Sequence, residues 1–246
     1  VHKLIFVKNT KLLQLLFHNF TFFNFLLMRQ FIIFLIIFFL HNNISQAQSF
    51  SFAQAPNTNN VAEFGAMATD KNNNIFIAGA FNGTVDFNFG AGINNLTAVG
   101  NFNMCLLKED ANGNFIWVKH FPGLSSNVTL TFCRSIVFDA QQNIYLTGVF
   151  QDSFDFDPGP KVFQMSSKGY DHAFVEKLDS NGNFVWAKHF GGNSPGTYAE
   201  AFCSKLNMIG NAIYLLCPIG GTLDADPGPN TYTIVNSNTL GNDILI

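Results

Sequence analysis

The sequence predicts an all-β protein assembled from repeated antiparallel sheets, and three observations carry that prediction. A single register recurs along the chain, tight-turn signals punctuate it at matching places, and the segments between turns are apolar on both faces. The register is the firmest of the three, because internal repeats decide the architecture before any local pattern does. Asp86, Asp155 and Asp224 are equally spaced, since 155−86 and 224−155 both give 69. The same offset joins Ile75, Ile144 and Ile213, and also Gly90, Gly159 and Gly228. Between the first two copies it joins Asp70 with Asp139, Gly79 with Gly148 and Trp117 with Trp186. Lys119-His120-Phe121 returns as Lys188-His189-Phe190.

Within one copy the elements follow in order. In the second, a strand is expected near Ser135–Asp139, then a short turn over Ala140–Asn143 and a strand Ile144–Phe150. The loop Asp155-Phe156-Asp157-Pro158-Gly159-Pro160 comes next, followed by Val162–Ser166, Ala173–Leu178, a Ser-Asn-Gly-Asn turn and Phe184–Phe190. Asn-Gly between two β-rich runs is a strong hairpin signal, with both turn residues expected at positive φ. No stretch beyond residue 47 sustains a helical period. Phe184, Trp186 and Phe190 on one face of the last strand oppose Val185 and Ala187 on the other. A sheet exposed on one side does not need that, whereas sheets stacked around an axis bury both sides. The expected architecture is therefore a β-propeller with an incomplete ring. Its blade units are about 66–134, 135–203 and a partial 204–246, within a repeat region 48–246. A β-solenoid is the competing arrangement, but it requires parallel pairing between coils, which the hairpin turns disfavour.

Composition bounds the remainder. Charged residues make up 12% of the chain and the formal net charge is −3, so there is no basic field for nucleic acid. The 30 Phe are concentrated early enough to distort the averages. Met28-Arg29-Gln30, ten apolar residues from Phe31 to Leu40, and Ser45-Gln46-Ala47 make a positive start, an apolar core and a small-x-small exit. That is the pattern of a secretory signal peptide over 28–47. Residues 1–27 then read as mis-called upstream sequence ahead of Met28. A membrane anchor over 11–40 is the alternative, but His18, Asn19, Asn24, Arg29 and Gln30 interrupt it. The expected location is secreted or on the outer cell surface, with membrane contact only through the signal peptide. Cys105, Cys133, Cys203 and Cys217 show no metal-type spacing. Cys105 and Cys133 stand where Phe174 and Phe202 stand one copy later, which suggests small buried hydrophobes. Export permits disulfides, and the sequence leaves the pairing open.

Asn143-Ile-Tyr-Leu-Thr-Gly148, the Asp155–Pro160 loop, Ala173-Phe-Val-Glu-Lys-Leu-Asp179 and Asn181-Gly-Asn-Phe-Val-Trp-Ala-Lys-His-Phe-Gly-Gly192 together resemble the secreted β-propeller repeat family labelled SBBP. The resemblance is to its longer, Asp-Pro-Gly-containing form, typical of large exported proteins of Bacteroidetes-type bacteria, and covers about residues 61–246. It implies extracellular or surface residence and, in full-length members, a C-terminal sorting domain for type nine secretion. The first copy departs with Asn88-Phe89-Gly90-Ala91, and the third has Ala225 in place of Phe.

The residues with chemical potential are few. Asp155 with Asp157, and Asp224 with Asp226, place two carboxylates two apart on a Pro/Gly-stiffened loop, and such oxygens suit Ca²⁺. The simpler reading is a turn, since Pro presets φ and Gly accepts positive φ. Asp110-Ala-Asn-Gly-Asn and Asp179-Ser-Asn-Gly-Asn invite a second calcium reading or a sialidase-type aspartate box, but the spacing is too long. A side-chain hydrogen bond inside a hairpin turn accounts for both. Trp117 and Trp186 would stack on a sugar or pack between blades, and their repetition favours packing. His120 and His189 recur without a nearby ligand pair. There is no His-Glu-x-x-His, Gly-x-Ser-x-Gly or phosphate-binding loop. The two copies differ most at 123–132 and 193–202, the connections between units, where a partner contact is most expected. The expected function is a non-catalytic scaffold for a protein or glycan partner, completed by further blades. The alternatives are a propeller-fold carbohydrate-active hydrolase or lyase whose site lies in other blades, and a decayed gene with no folded product.

Overall fold

The turns are where the sequence acts most locally. Asp70 Oδ1 accepts the backbone N–H groups of Asn72 and Asn74, while Asn74 Nδ2 donates to Asp70 Oδ2. The same three-bond clasp recurs at Asp110–Asn114, Asp139–Asn143 and Asp179–Asn183. Each reverses the chain between two strands. Only the fourth residue after the strand sits at positive φ, as Asn73, Gly113, Gln142 and Gly182 do. The Asn-Gly turns are therefore three-residue hairpins closed by a glycine bulge, rather than two-residue turns with both residues at positive φ. The ladder slips at Lys108/Glu109 and Lys177/Leu178 to accommodate it.

The computed structural model describes residues 60–124, 131–167, 171–192, 199–236 and 243–245, all within one compact unit. The signal-peptide reading over 28–47, the upstream stretch 1–27 and the anchor alternative lie outside the described residues. The first repeat holds β1 (Ala62–Thr69), β2 (Ile75–Phe81), β3 (Thr84–Asp86), β4 (Asn95–Thr97), β5 (Asn103–Glu109) and β6 (Phe115–Phe121). The second holds β7 (Thr131–Phe138), β8 (Ile144–Phe150), β9 (Ser153–Asp155), β10 (Gln164–Ser166), β11 (His172–Leu178) and β12 (Phe184–Phe190). Each repeat forms a four-stranded antiparallel sheet, β1-β2-β5-β6 and β7-β8-β11-β12, with a separate two-stranded hairpin inserted after the second strand. The third contains β13 (Ala199–Ala201), β14 (Lys205–Ile209), β15 (Ala212–Asp224), β16 (Thr233–Val235) and β17 (Asp243–Leu245), all joined through the long β15.

This is the all-β, blade-like architecture that the repeat predicts, and none of the sheets closes into a barrel. The 69-residue register holds at the ends of the sheets, 62 to 131 and 121 to 190. Strand β7 opens at Thr131, four residues before the expected Ser135, because the pairing continues through a β-bulge at Arg134. The short strand β9 escapes a sequence reading altogether, since three residues carry no period.

Stacking follows from the faces. All seven residues of β8 are buried. Phe174, Leu178, Ile144 and Phe150 pack with Phe76, Ala78, Met104 and Leu106 of the first blade in one shared core. Phe154, Phe156 and Met165 of the β9–β10 hairpin fill the same core, so the inserted hairpin wedges between blades. The opposite face of the second blade, with Tyr145, Val175 and Trp186, packs against Leu206, Met208 and Ile213 of the third. Trp117 and Trp186 thus lie at successive blade junctions, and Trp117 meets the 179–183 turn of the next blade at Gly182.

The first pair of strands in the first and second blades imposes a glycine. The bulge after Phe64 in β1 and after Cys133 in β7 turns a carbonyl toward the neighbouring strand. A Cβ at Gly79 would overlap the Glu63 carbonyl oxygen, and one at Gly148 the Phe132 carbonyl oxygen. In the third copy the equivalent of Gly148 is Cys217, and it forms a disulfide with Cys203, which faces it in the ladder as Cys133 faces Gly148. The bridge ties the two strands covalently one residue before the bulge, which falls at Ser204. Gly148→Ala is expected to cost about 3 kcal/mol by overpacking, read as a lower urea midpoint with an unchanged slope. A midpoint equal to that of the unmodified chain would remove the steric account.

Candidate functional site

The Asp-x-Asp-Pro-Gly loops are built from the backbone outward. Asp155 Oδ1 accepts the N–H groups of Asp157 and Phe163, closing the β9–β10 hairpin from inside. Asp157 Oδ1 accepts the N–H of Gly159, as Pro158 and Gly159 turn the chain. The third copy repeats every contact, with Asp224 bound to the amides of Asp226 and Tyr232, and Asp226 to Gly228. In the first copy Asp86 binds Asn88 and Asn94, and Asn88 Oδ1 takes the place of the second carboxylate on Gly90. One oxygen of each Asp is therefore engaged in tying the loop, in the manner expected of a turn. The two Asp pairs stay in separate loops, and among the described residues no group of three or more His, Cys, Asp or Glu comes together to hold a metal.

These loops also join the blades. The N–H of Asp155 donates to the carbonyl of Pro122, and the N–H of Asp224 to that of Gly191, so each hairpin is stitched to the strand end of the preceding blade. Asp224 and Asp226 line a cleft of about 130 Å³ together with His189 and Gly191. A second concavity of about 290 Å³ lies at the first junction, lined by Asp70, Lys108, Gln142 and Asn181 among others.

The two recurrent histidines have different partners. His120 Nε2 lies 2.7 Å from Asn103 Oδ1, whereas His189 Nδ1 lies 2.9 Å from His172 Nδ1 with the rings stacked. Burial holds both His120 and His189 below the ordinary imidazole range, favouring neutral rings. Cys105 and Cys133 are free, buried thiols, as their alignment with phenylalanines suggests. Desolvation pushes Cys133 up to about 12, so it behaves as a small apolar residue. Asp110 is held below the usual carboxylate range, first by the Asn114 side chain and then by the Asn114 backbone amide.

Glu176 is the residue that a pattern-based reading passes over. It stands in β11 where Leu107 stands in β5, fully buried at the junction beneath the β9–β10 hairpin. Neither carboxyl oxygen meets a hydrogen-bond partner among the described residues. Burial, then the charges of Asp157 and Asp155, raise its pKa well above the ordinary value. An alternating strand with one Glu on its inward face was visible in the sequence, and its departure from the repeat was the available signal.

No protein-family profile matches the chain. Among curated proteins it is 35% identical over 209 residues to an uncharacterized WD repeat-containing protein of Acanthamoeba polyphaga mimivirus. The match takes in 72% of this chain and spans 14% of the length of that relative. The stacked sheets and this likeness together define a repeat protein of propeller-type blades with distant WD-repeat-like homology.

Two outcomes follow. Asp157→Asn should change stability by less than about 0.5 kcal/mol, because Asn88 already makes the equivalent contact. A melting temperature that rises with Ca²⁺ in the parent and not in the variant would instead establish the carboxylates as calcium ligands. Glu176 is neutral in the fold and ionised in the unfolded chain once the pH exceeds its ordinary value of 4.5. Its contribution to stability is thus fullest below that pH and declines as pH rises toward the elevated folded value. Glu176→Leu should raise the melting temperature at pH 7 by about 5 °C and have far less effect at pH 4. An equal effect at both pH values would refute the ionisation argument.

Proposed function

We propose that the chain is part of a non-catalytic, exported scaffold of the secreted β-propeller repeat type, which presents its blade connections to a protein or glycan partner. The observation that supports this most directly is the use of the repeated polar residues. The Asp clasps, the Asp-x-Asp-Pro-Gly loops and the Asn partners bind backbone amides, which is what a rigid support requires. A repeat gives every blade the same chemistry, and a reaction centre would depend on residues that break it. The Cys203–Cys217 bridge favours an oxidising compartment and agrees with a signal peptide over 28–47. The two inter-blade connections differ between repeats while the sheets do not, which is the usual division between variable contact loops and a fixed support.

Expression in an exporting bacterial host tests the location. The exported protein is expected to begin near Gln48, and recovery of exported chains that retain residues 1–27 would reverse the start-site assignment. Incubation with a panel of neutral and acidic polysaccharides tests the scaffold reading, which expects no release of new reducing ends. Turnover of any of them would replace it with the hydrolase or lyase alternative.

A further inference from the structure

The first strand of each repeat is the terminal strand of its sheet, and these strands gather on one side of the stack. β1 lies against β7, and β7 against β14, around a groove of about 610 Å³. The repeat makes this surface nearly featureless except at two positions. The bulge residue is Gly65 in the first copy, pressed against the Cys133 carbonyl, and Ser204 in the third, one residue past the disulfide-bonded Cys203. In the second it is Arg134, the one exposed residue of β7. Directly after the bulge stand Ala66 in the first copy, the buried Ser135 in the second and Lys205, which is exposed, in the third.

A bulge residue is left out of the ladder, so it can be exchanged without shifting the register, and Arg134 stands exposed there. The Arg134 guanidinium lies 5.3 Å from the centre of the Phe132 ring, which supports it on one face. Among the described residues the ion pairs are Lys108 with Asp70 and Lys177 with Asp139, and neither groove cation belongs to one. Two cations that the repeat does not require therefore line one concavity without neutralisation. An anion is the complement of that charge, and a carboxylate matches the planar fork of an arginine.

The rest of the lining selects the kind of anion. Met67, Ile136, Val137 and Leu206 supply aliphatic surface, and among the described residues no aromatic ring lines the groove to stack on a sugar. Because β1, β7 and β14 are terminal strands, one side of each backbone makes no ladder bonds within its sheet, and an extended peptide can bind such an edge. We propose that this groove binds an acidic peptide segment, with Arg134 and Lys205 receiving its carboxylates. The inference rests on the scaffold reading and names its partner class.

The test is fluorescence anisotropy of the whole chain with a labelled octapeptide of alternating Glu and Leu, at fixed ionic strength. Arg134→Gly and Lys205→Ala, which install the residues of the first copy, should each weaken binding about tenfold. Arg134→Lys should retain most of it, and Lys161→Gln, at an exposed lysine elsewhere, should retain all of it. Urea midpoints equal to that of the parent confirm that the variants are folded. Absence of peptide binding, equal binding by the groove variants, or equal loss in Lys161→Gln would overturn the site. Tighter binding of an oligogalacturonate than of the peptide would overturn the peptide assignment. Glycan turnover would sink the scaffold reading while leaving the anisotropy series to stand or fall by itself.

Discussion

Burial on both faces of each sheet is the constraint on which the rest of the structure depends. The central strands, β8 and β11 above all, carry apolar side chains above and below the sheet. Neither face can be left in water without a cost of roughly 25 cal/mol for every Å² of apolar surface. One face of the second blade is therefore covered by the first blade, and the other by the third. The inserted β9–β10 hairpin completes that cover, since Phe154 and Phe156 reach positions that the sheets cannot fill. A blade of this kind has no independent core, and its stability is shared with its neighbours.

The polar residues serve that stacking. Four Asp clasps set the length of the tight turns, and so the register in which strands of one blade face strands of the next. The Asp-x-Asp-Pro-Gly loops act between blades: the same Asp that closes the hairpin with its carboxylate offers its own N–H to the preceding blade. Glu176 works against this economy. A carboxyl without a partner in an otherwise apolar junction weakens the contact between the first two blades, whereas Leu107 fits the equivalent place.

Much of this was legible from the chain because a repeat displays the same physical solution several times. The strands Ile144–Phe150 and Phe184–Phe190 were readable to the residue, since alternating apolar positions end at Asp and Asn turn signals. The inter-blade role of Trp117 and Trp186 was readable from their recurrence. Other features were hidden for identifiable reasons. The bulge at Arg134 leaves no mark in the composition, so β7 was expected to begin at Ser135. β9 is too short for its alternation to show. The Asn-Gly turns signal a hairpin, but the number of residues at positive φ depends on the clasp made by the preceding Asp. The cysteine pairing depends on the alignment of Cys217 with Gly148, and on the carbonyl that makes glycine necessary there.

The same alignment separates support from recognition. At Gly79 and Gly148 a carbonyl of the neighbouring strand leaves no room for a side chain, and the corresponding Cys217 of the third copy is tied to that strand by the disulfide. Where the position is glycine, arginine and serine, as at the bulges 65, 134 and 204, the geometry is kept while the chemistry changes. A bulge is a suitable place for that change, because its residue lies outside the hydrogen-bonded ladder and alters no register when it is replaced. The first strands of the blades thus hold positions that can vary without disturbing the stack, alongside others that cannot. Arg134, at its bulge, and Lys205, beside the next one, occupy the first kind, on a groove where strands of all three repeats meet.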